Sequence, residues 1–192
     1  MTLLQTMPDD DPGRVLLRTS DPDLIGRELA ALGIGWERWS ANDPLPAEIG
    51  EQAILDAHAK DIDRLCADGG YRLVDIVRMV PSDEPGCEEK VRAARGKFLE
   101  EHTHTEDEVR FFVEGRGCFY LHLGERVHAV VCEAGDLLSV PAGTRHWFDM
   151  GTRPLFCAIR FFQKEDGWIG DFVEDGVAAG FPSLDELTSA HP

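Results

Sequence analysis

The chain is poor in the features that mark several protein classes. No apolar run in its 192 residues approaches the ~20 that a membrane-spanning helix requires, so no membrane partner is expected. Lysines and arginines nowhere cluster into a basic patch. A formal net charge of −17 repels nucleic-acid phosphates and anionic lipid surfaces, so nucleic acid is not an expected partner either. No C-x-x-C pair occurs. The five cysteines, Cys66, Cys87, Cys118, Cys132 and Cys157, stand singly, and an odd count argues against a complete disulfide framework; they read as reduced thiols. The opening MTLLQTMPDDDPG lacks the basic and apolar regions of a secretory signal, and a cytoplasmic location is expected. Internal repeats, low-complexity tracts and long linkers are also missing.

What is there is ordinary globular material, 43% hydrophobic and 29% charged, with enough length for one substantial core. Helical rhythm covers Pro22 to Leu32, with Ser20 or Asp21 as cap, and Pro46 to Leu65; a short extended piece, Trp36 to Trp39, lies between them. From Tyr71 onward β-branched and aromatic runs dominate: 71–80, 109–114, 118–123, 127–132, 137–140 and 155–162. Short glycine-bearing turns are predicted at 115–117, 124–126, 134–136 and 142–144. This pattern predicts a mainly β fold, a barrel or double-sheet sandwich. One domain is expected over 1–192, with 14–70 packed outside the barrel, 71–164 forming it and 165–192 as an acidic tail that packs outside or frays. The stretch 84–95 reads as a helix or loop inserted before the next strand.

The segment GKFLEEHTHTEDEVRFFVEG, residues 96–115, carries the chemistry. Side chains of an extended segment alternate faces, so His102, His104 and Glu108 share parity and converge on one point. Downstream, in GDLLSVPAGTRH, a turn at Pro141 and Gly143 launches a strand bearing His146. Three imidazoles and a carboxylate form a mixed nitrogen and oxygen set suited to an octahedral divalent first-row metal with two neighbouring positions open, whereas a structural zinc site more often recruits thiolates. An open pair of positions invites a chelating substrate such as an ene-diolate. Arg110 has the parity of Glu108 and would bring a fixed positive charge to the cavity. Phe98 and Phe148 share parity with the ligands and would form its apolar wall. His58, His122, His128 and His191 stand alone and read as surface or satisfied core residues.

The two motifs resemble the signatures of the cupins, small jelly-roll β-barrels. Gly96, His102, His104, Glu108 and Gly115 make the first, and Gly135, Pro141, Gly143 and His146 the second. Where many cupins carry asparagine, this chain has Met150. Within the cupins, the strings KFLEEHTHTEDEVRFFVEGRG and VPAGTRHWFDMG, together with WERW near the front and AIRFF near the end, resemble the acireductone dioxygenases of methionine salvage over roughly residues 14–182.

That resemblance implies a cupin-type jelly-roll barrel with a few peripheral helices. It also implies one Fe(2+) or Ni(2+) per chain and a small-molecule enediol and O2 as reactants. The iron form would yield 4-methylthio-2-oxobutanoate and formate, and the nickel form 3-methylthiopropionate, formate and carbon monoxide. Arg110 would favour the deprotonated substrate, while Phe98, Phe148 and Arg160 would lie near it. Glu101 and Asp107 match positions tied to metal incorporation and to relaying conformational change, although their setting in a run of acids reads as a solvated face. A monomer is expected. Another cupin dioxygenase or isomerase with the same ligands, and a ligand-binding cupin without turnover, stand as alternatives.

Overall fold

In a computed structural model that describes residues 1–41, 44–82, 86–164 and 169–189, two antiparallel sheets face each other and share one long strand. That strand, β6, runs from Glu108 to Leu123. Its first half pairs with β8 (Asp136–Val140) and β10 (Phe156–Phe162). β4 (Leu73–Met79) and β3 (Gly35–Arg38) flank these as edge strands. Its second half pairs with β7 (Arg126–Glu133) and β9 (Arg145–Asp149). That sheet continues through β1 (Leu3–Pro8) and β2 (Leu17–Thr19) on one side, and through β5 (His102–Thr103) and β11 (Asp171–Phe172) on the other.

The predicted turn at 115–117 is therefore a corner where one strand changes sheets. Gly115 adopts φ 69°, and a Cβ there would lie 1.9 Å from the Leu155 carbonyl oxygen, so only glycine fits. The corner also inverts the alternation: Glu108, Arg110 and Phe112 face inward before it, Phe119 and Leu121 after it. Such sheet-switching strands form the corners of double-sheet barrels.

Residues from both sheets meet in an inner cluster around Phe112, Phe119, Leu138, Phe148 and Phe156, which Ile25 and Leu29 of helix α1 (Pro22–Ala31) join. Asp21 caps α1 by accepting from the N–H groups of Asp23 and Leu24, and Pro22 opens it. Val109, Phe111, Ile159 and Phe161 pack outward against α2 (Glu51–Ala57) and α3 (Ala59–Gly69). One continuous helix was expected there. Instead the chain leaves helical geometry at His58, whose buried ring meets Phe111 edge-on. Within 14–70, β2 pairs with β1 and β3 pairs with β8.

Helix α4 (Cys87–Phe98) fills the predicted insertion; Glu84, Pro85 and the Cys87 side chain lie outside the described residues. Cys118, Cys132 and Cys157 are buried free thiols. Leu184 and Leu187 of α5 (Leu184–Ser189) bury against Tyr120 and Trp147. Trp168 and His191 lie outside the described residues. Among the described residues no helix is long and apolar enough to cross a membrane.

Candidate metal centre

His102, His104, Glu108 and His146 come together, each burying its side chain and offering one ligand atom, with all four atoms within 4.8 Å of one another. The route differs from simple strand parity. His102 belongs to β5, the chain bends at Thr105 and Glu106, and Glu108 opens β6 in the opposite sheet. The turn predicted before His146 is present, with Gly143 at φ 78°. It is pinned to the first motif twice: Gly143 N–H donates to the His104 carbonyl at 2.8 Å, and Ala142 N–H donates to Asp107 Oδ1 at 2.9 Å.

Every ligand imidazole is held at Nδ1 by a backbone carbonyl: His102 by Glu100 at 2.6 Å, His104 by Ile169 at 2.8 Å and His146 by Thr144 at 2.7 Å. A carbonyl only accepts, so each Nδ1 carries a proton, which in a neutral ring leaves the Nε2 lone pair turned inward. Those lone pairs face a carboxylate, with His104 Nε2 2.9 Å and His146 Nε2 3.1 Å from Glu108 Oε2. Electron pairs crowded this way require a cation among them. A proton answers in part: burial lowers the His104 pKa, but Glu108 and the Ile169 carbonyl outweigh it and raise the value. Burial pushes the Glu108 carboxyl up, yet Arg110 and the two histidines hold it well below the usual range, so its charge persists. Three neutral nitrogens and one anionic oxygen fit a divalent first-row metal, and among the described residues no thiolate joins the group.

His102, His104 and Glu108 line a cavity of about 480 Å³. Arg110 faces it, with its guanidinium NH2 2.7 Å from Glu108 Oε1 and stacked over Phe148 at 4.5 Å. Burial depresses the pKa of Arg110, and the Glu108 charge counters that. Phe148 lines the cavity from β9. Phe98 lines it too, but from the last residue of α4, so the strand parity read for it does not apply. Arg160 reaches the cavity from β10, paired to Asp75.

Glu101 and Asp107 stand behind the ligands rather than beside the cavity. The solvated face expected for Glu101 is wrong: it is 2% exposed and accepts from His122 Nδ1 at 2.6 Å, Arg145 Nε at 2.7 Å and Val177 N–H at 2.8 Å. Its backbone carbonyl holds Val173 N–H, which ties the tail across the ligand strands. The sequence reading missed Asp75, Phe162 and Phe172 of the cavity lining and the three carbonyls behind the imidazoles. Two of those carbonyls were within reach of the sequence, lying two residues before their histidines.

A double-sheet barrel in which three imidazoles and a carboxylate converge beside a cavity is a metal-binding cupin. The chain belongs to the ARD/ARD' family, whose sequence model matches residues 6–170. Its similarity extends over whole proteins. Acireductone dioxygenase 1 of Nocardia farcinica (strain IFM 10152) is 58% identical across 97% of this chain and 99% of that one. Acireductone dioxygenase of Saccharopolyspora erythraea is 49% identical across 99% and 100%. Among solved structures, acireductone dioxygenase from Bacillus anthracis with a cadmium ion in its active center superposes with a TM-score of 0.72 at 27% identity, covering 90% of this chain and 99% of the other.

Proposed function

We propose that this chain is a metal-dependent dioxygenase that cleaves acireductone (1,2-dihydroxy-3-keto-5-methylthiopentene) with O2 in methionine salvage. The observation that carries this reading is the four-residue centre beside a cavity that also holds the buried Arg110 charge. His102, His104, Glu108 and His146 would hold one Fe(2+) or Ni(2+), which would supply Lewis acidity and a template for the substrate.

The chain's own groups do the rest. Arg110, fixed on Phe148 and Glu108, presents its charge where an enediol loses its protons, and it favours the dianion without reorganising. Phe98 and Phe148 keep water from the carbon chain. Arg160 approaches the same space from β10. Asp107 acts at one remove through the turn before His146, and Glu101 by anchoring the tail whose Ile169 carbonyl orients His104. The protein works as a cytoplasmic monomer on small molecules, and its charge of −17 keeps it from nucleic acid and anionic membranes.

Anaerobic addition of the enediol followed by O2 tests the reading. Metal-loaded protein should abolish the ultraviolet absorbance of the enediol, and its persistence would refute the assignment. Product analysis after loading with iron or with nickel then separates 4-methylthio-2-oxobutanoate and formate from 3-methylthiopropionate, formate and carbon monoxide.

A further inference from the structure

Asp75 of β4, Arg160 of β10 and Arg110 of β6 form one cross-strand row: Asp75 opposes Arg160, and Arg160 opposes Arg110. All three line the cavity. Neighbouring strands lie ~4.8 Å apart, so Asp75 sits roughly 10 Å across the sheet from Arg110, on an edge strand beyond β10. Two guanidinium groups directly opposed on adjacent strands repel. Each here is matched by its own carboxylate. Glu108 takes Arg110, and Asp75 takes Arg160 in a two-point contact, Nε to Oδ1 at 2.8 Å and NH2 to Oδ2 at 2.6 Å.

The two ends of the cavity therefore differ in character. Near the ligands, the Arg110 charge serves the reacting oxygens. At the far end the Asp75–Arg160 pair is balanced, and Leu73 and the ring of Phe162, 5.2 Å from the Arg160 guanidinium, surround it with apolar surface. The Asp75 side chain lines the cavity and keeps 38% of its surface exposed, and Lys97 is a further charged group of the lining.

We infer that Asp75 is a specificity-determining residue: by engaging Arg160 it makes the cavity accept an enediol with an uncharged, apolar tail and reject one whose tail ends in a carboxylate. This rests on the proposed function and deepens it. An acidic tail is repelled by Asp75 and finds two Arg160 donors already committed. With the carboxylate removed and the size kept, an amide can accept only one of those donors and carries no charge, so the Arg160 guanidinium becomes available to the tail anion.

The test is steady-state kinetics of metal-loaded enzyme with two synthetic enediols of similar length, one ending in methylthio and one in carboxylate. Wild type should favour the methylthio substrate. Asp75→Asn should shift the ratio of kcat/KM toward the acidic substrate by at least about tenfold, the low end for one charge-assisted hydrogen bond, mainly through KM. Adding Arg160→Gln should remove that gain. A second variant reads the opposite sign: Arg160→Gln alone leaves the Asp75 charge facing the cavity and should improve an amine-tailed enediol by a similar factor. Equal losses on all substrates in both single variants, or a gain that survives in the double variant, overturns the inference. Failure of wild type to turn over the methylthio enediol sinks the functional reading itself, which separates the two outcomes.

Discussion

His102 and His146 are direct cross-strand partners on β5 and β9, their ring centroids 4.6 Å apart. His104 closes the triangle at 4.9 Å and 5.1 Å. Because the backbone fixes all three rings, deleting one ligand leaves the others unable to swing in and compensate. His104→Ala and Glu108→Ala should lose metal and turnover together, as elemental analysis and an oxygen-uptake assay on the same preparation would show. Glu108→Ala carries an added cost. It leaves the buried Arg110 beside no carboxylate from β6, a loss of about 3–5 kcal/mol by denaturant titration.

Arg110→Ala should separate the two functions. No ligand atom is removed, so the metal should stay, while kcat should fall by roughly 10²–10³, the range for losing one preorganised charge at the reacting centre. Metal content measured beside kcat decides the matter. A stripped site would mean that the 2.7 Å contact chiefly holds Glu108 in place rather than acting on substrate.

The metal ligands were legible in the sequence because spacing encodes them: two histidines one residue apart and a glycine turn ahead of a third survive as patterns whatever the tertiary route. The strands from β6 to β10 were legible as β-branched and aromatic runs, and β9 from the turn that launches it. Gly115 to Gly117 was misread because glycine marks a hairpin and a sheet-switching corner alike, and the two differ only in what the next residues pair with. β1 stayed hidden because Leu3 to Pro8 mixes polar Gln5 and Thr6 into a strand that is buried on both faces. Asp75 was missed for a related reason. It is a single acid at an inward position of an apolar strand, and its meaning depends on Arg160, which only the fold places opposite.

His128 makes acid stability predictable. Its ring is buried, with Nδ1 3.0 Å from Thr6 Oγ1, and burial, then the nearby Arg126 charge, lowers its pKa to about 4. The unfolded chain, titrating near the ordinary value of 6.5, binds more protons throughout the interval between them. Stability therefore falls as pH drops from about 6.5 toward 4, by about 3 kcal/mol from this residue alone. Denaturant titrations of wild type and His128→Leu should diverge in pH dependence over that window. Parallel curves would show that the ring is protonated in the fold.

Asp149 acts in the opposite pH range. It is fully buried and binds Arg95 of α4 through two contacts, 2.6 Å and 2.9 Å, while accepting the N–H groups of Gly151 and Leu184. Burial raises its pKa, but Arg95 and the two N–H groups outweigh this and bring it below the usual value. Its contribution is thus complete above the ordinary carboxylate range and is lost only as pH falls through the lowered folded value. Asp149→Asn should cost about 3 kcal/mol at neutral pH, roughly 5–10 °C in Tm, because an amide cannot accept both guanidinium contacts and Arg95 loses its counter-charge. That deficit should hold constant from pH 8 down to about 5 and shrink only in stronger acid. The same bond links β9, which carries His146, to α4, which carries Phe98 at its end, so loosening it moves the cavity wall without touching a ligand. KM should rise more than kcat falls, with metal content unchanged; a loss of metal equal to that of His104→Ala would show that Asp149 supports the ligand strand instead.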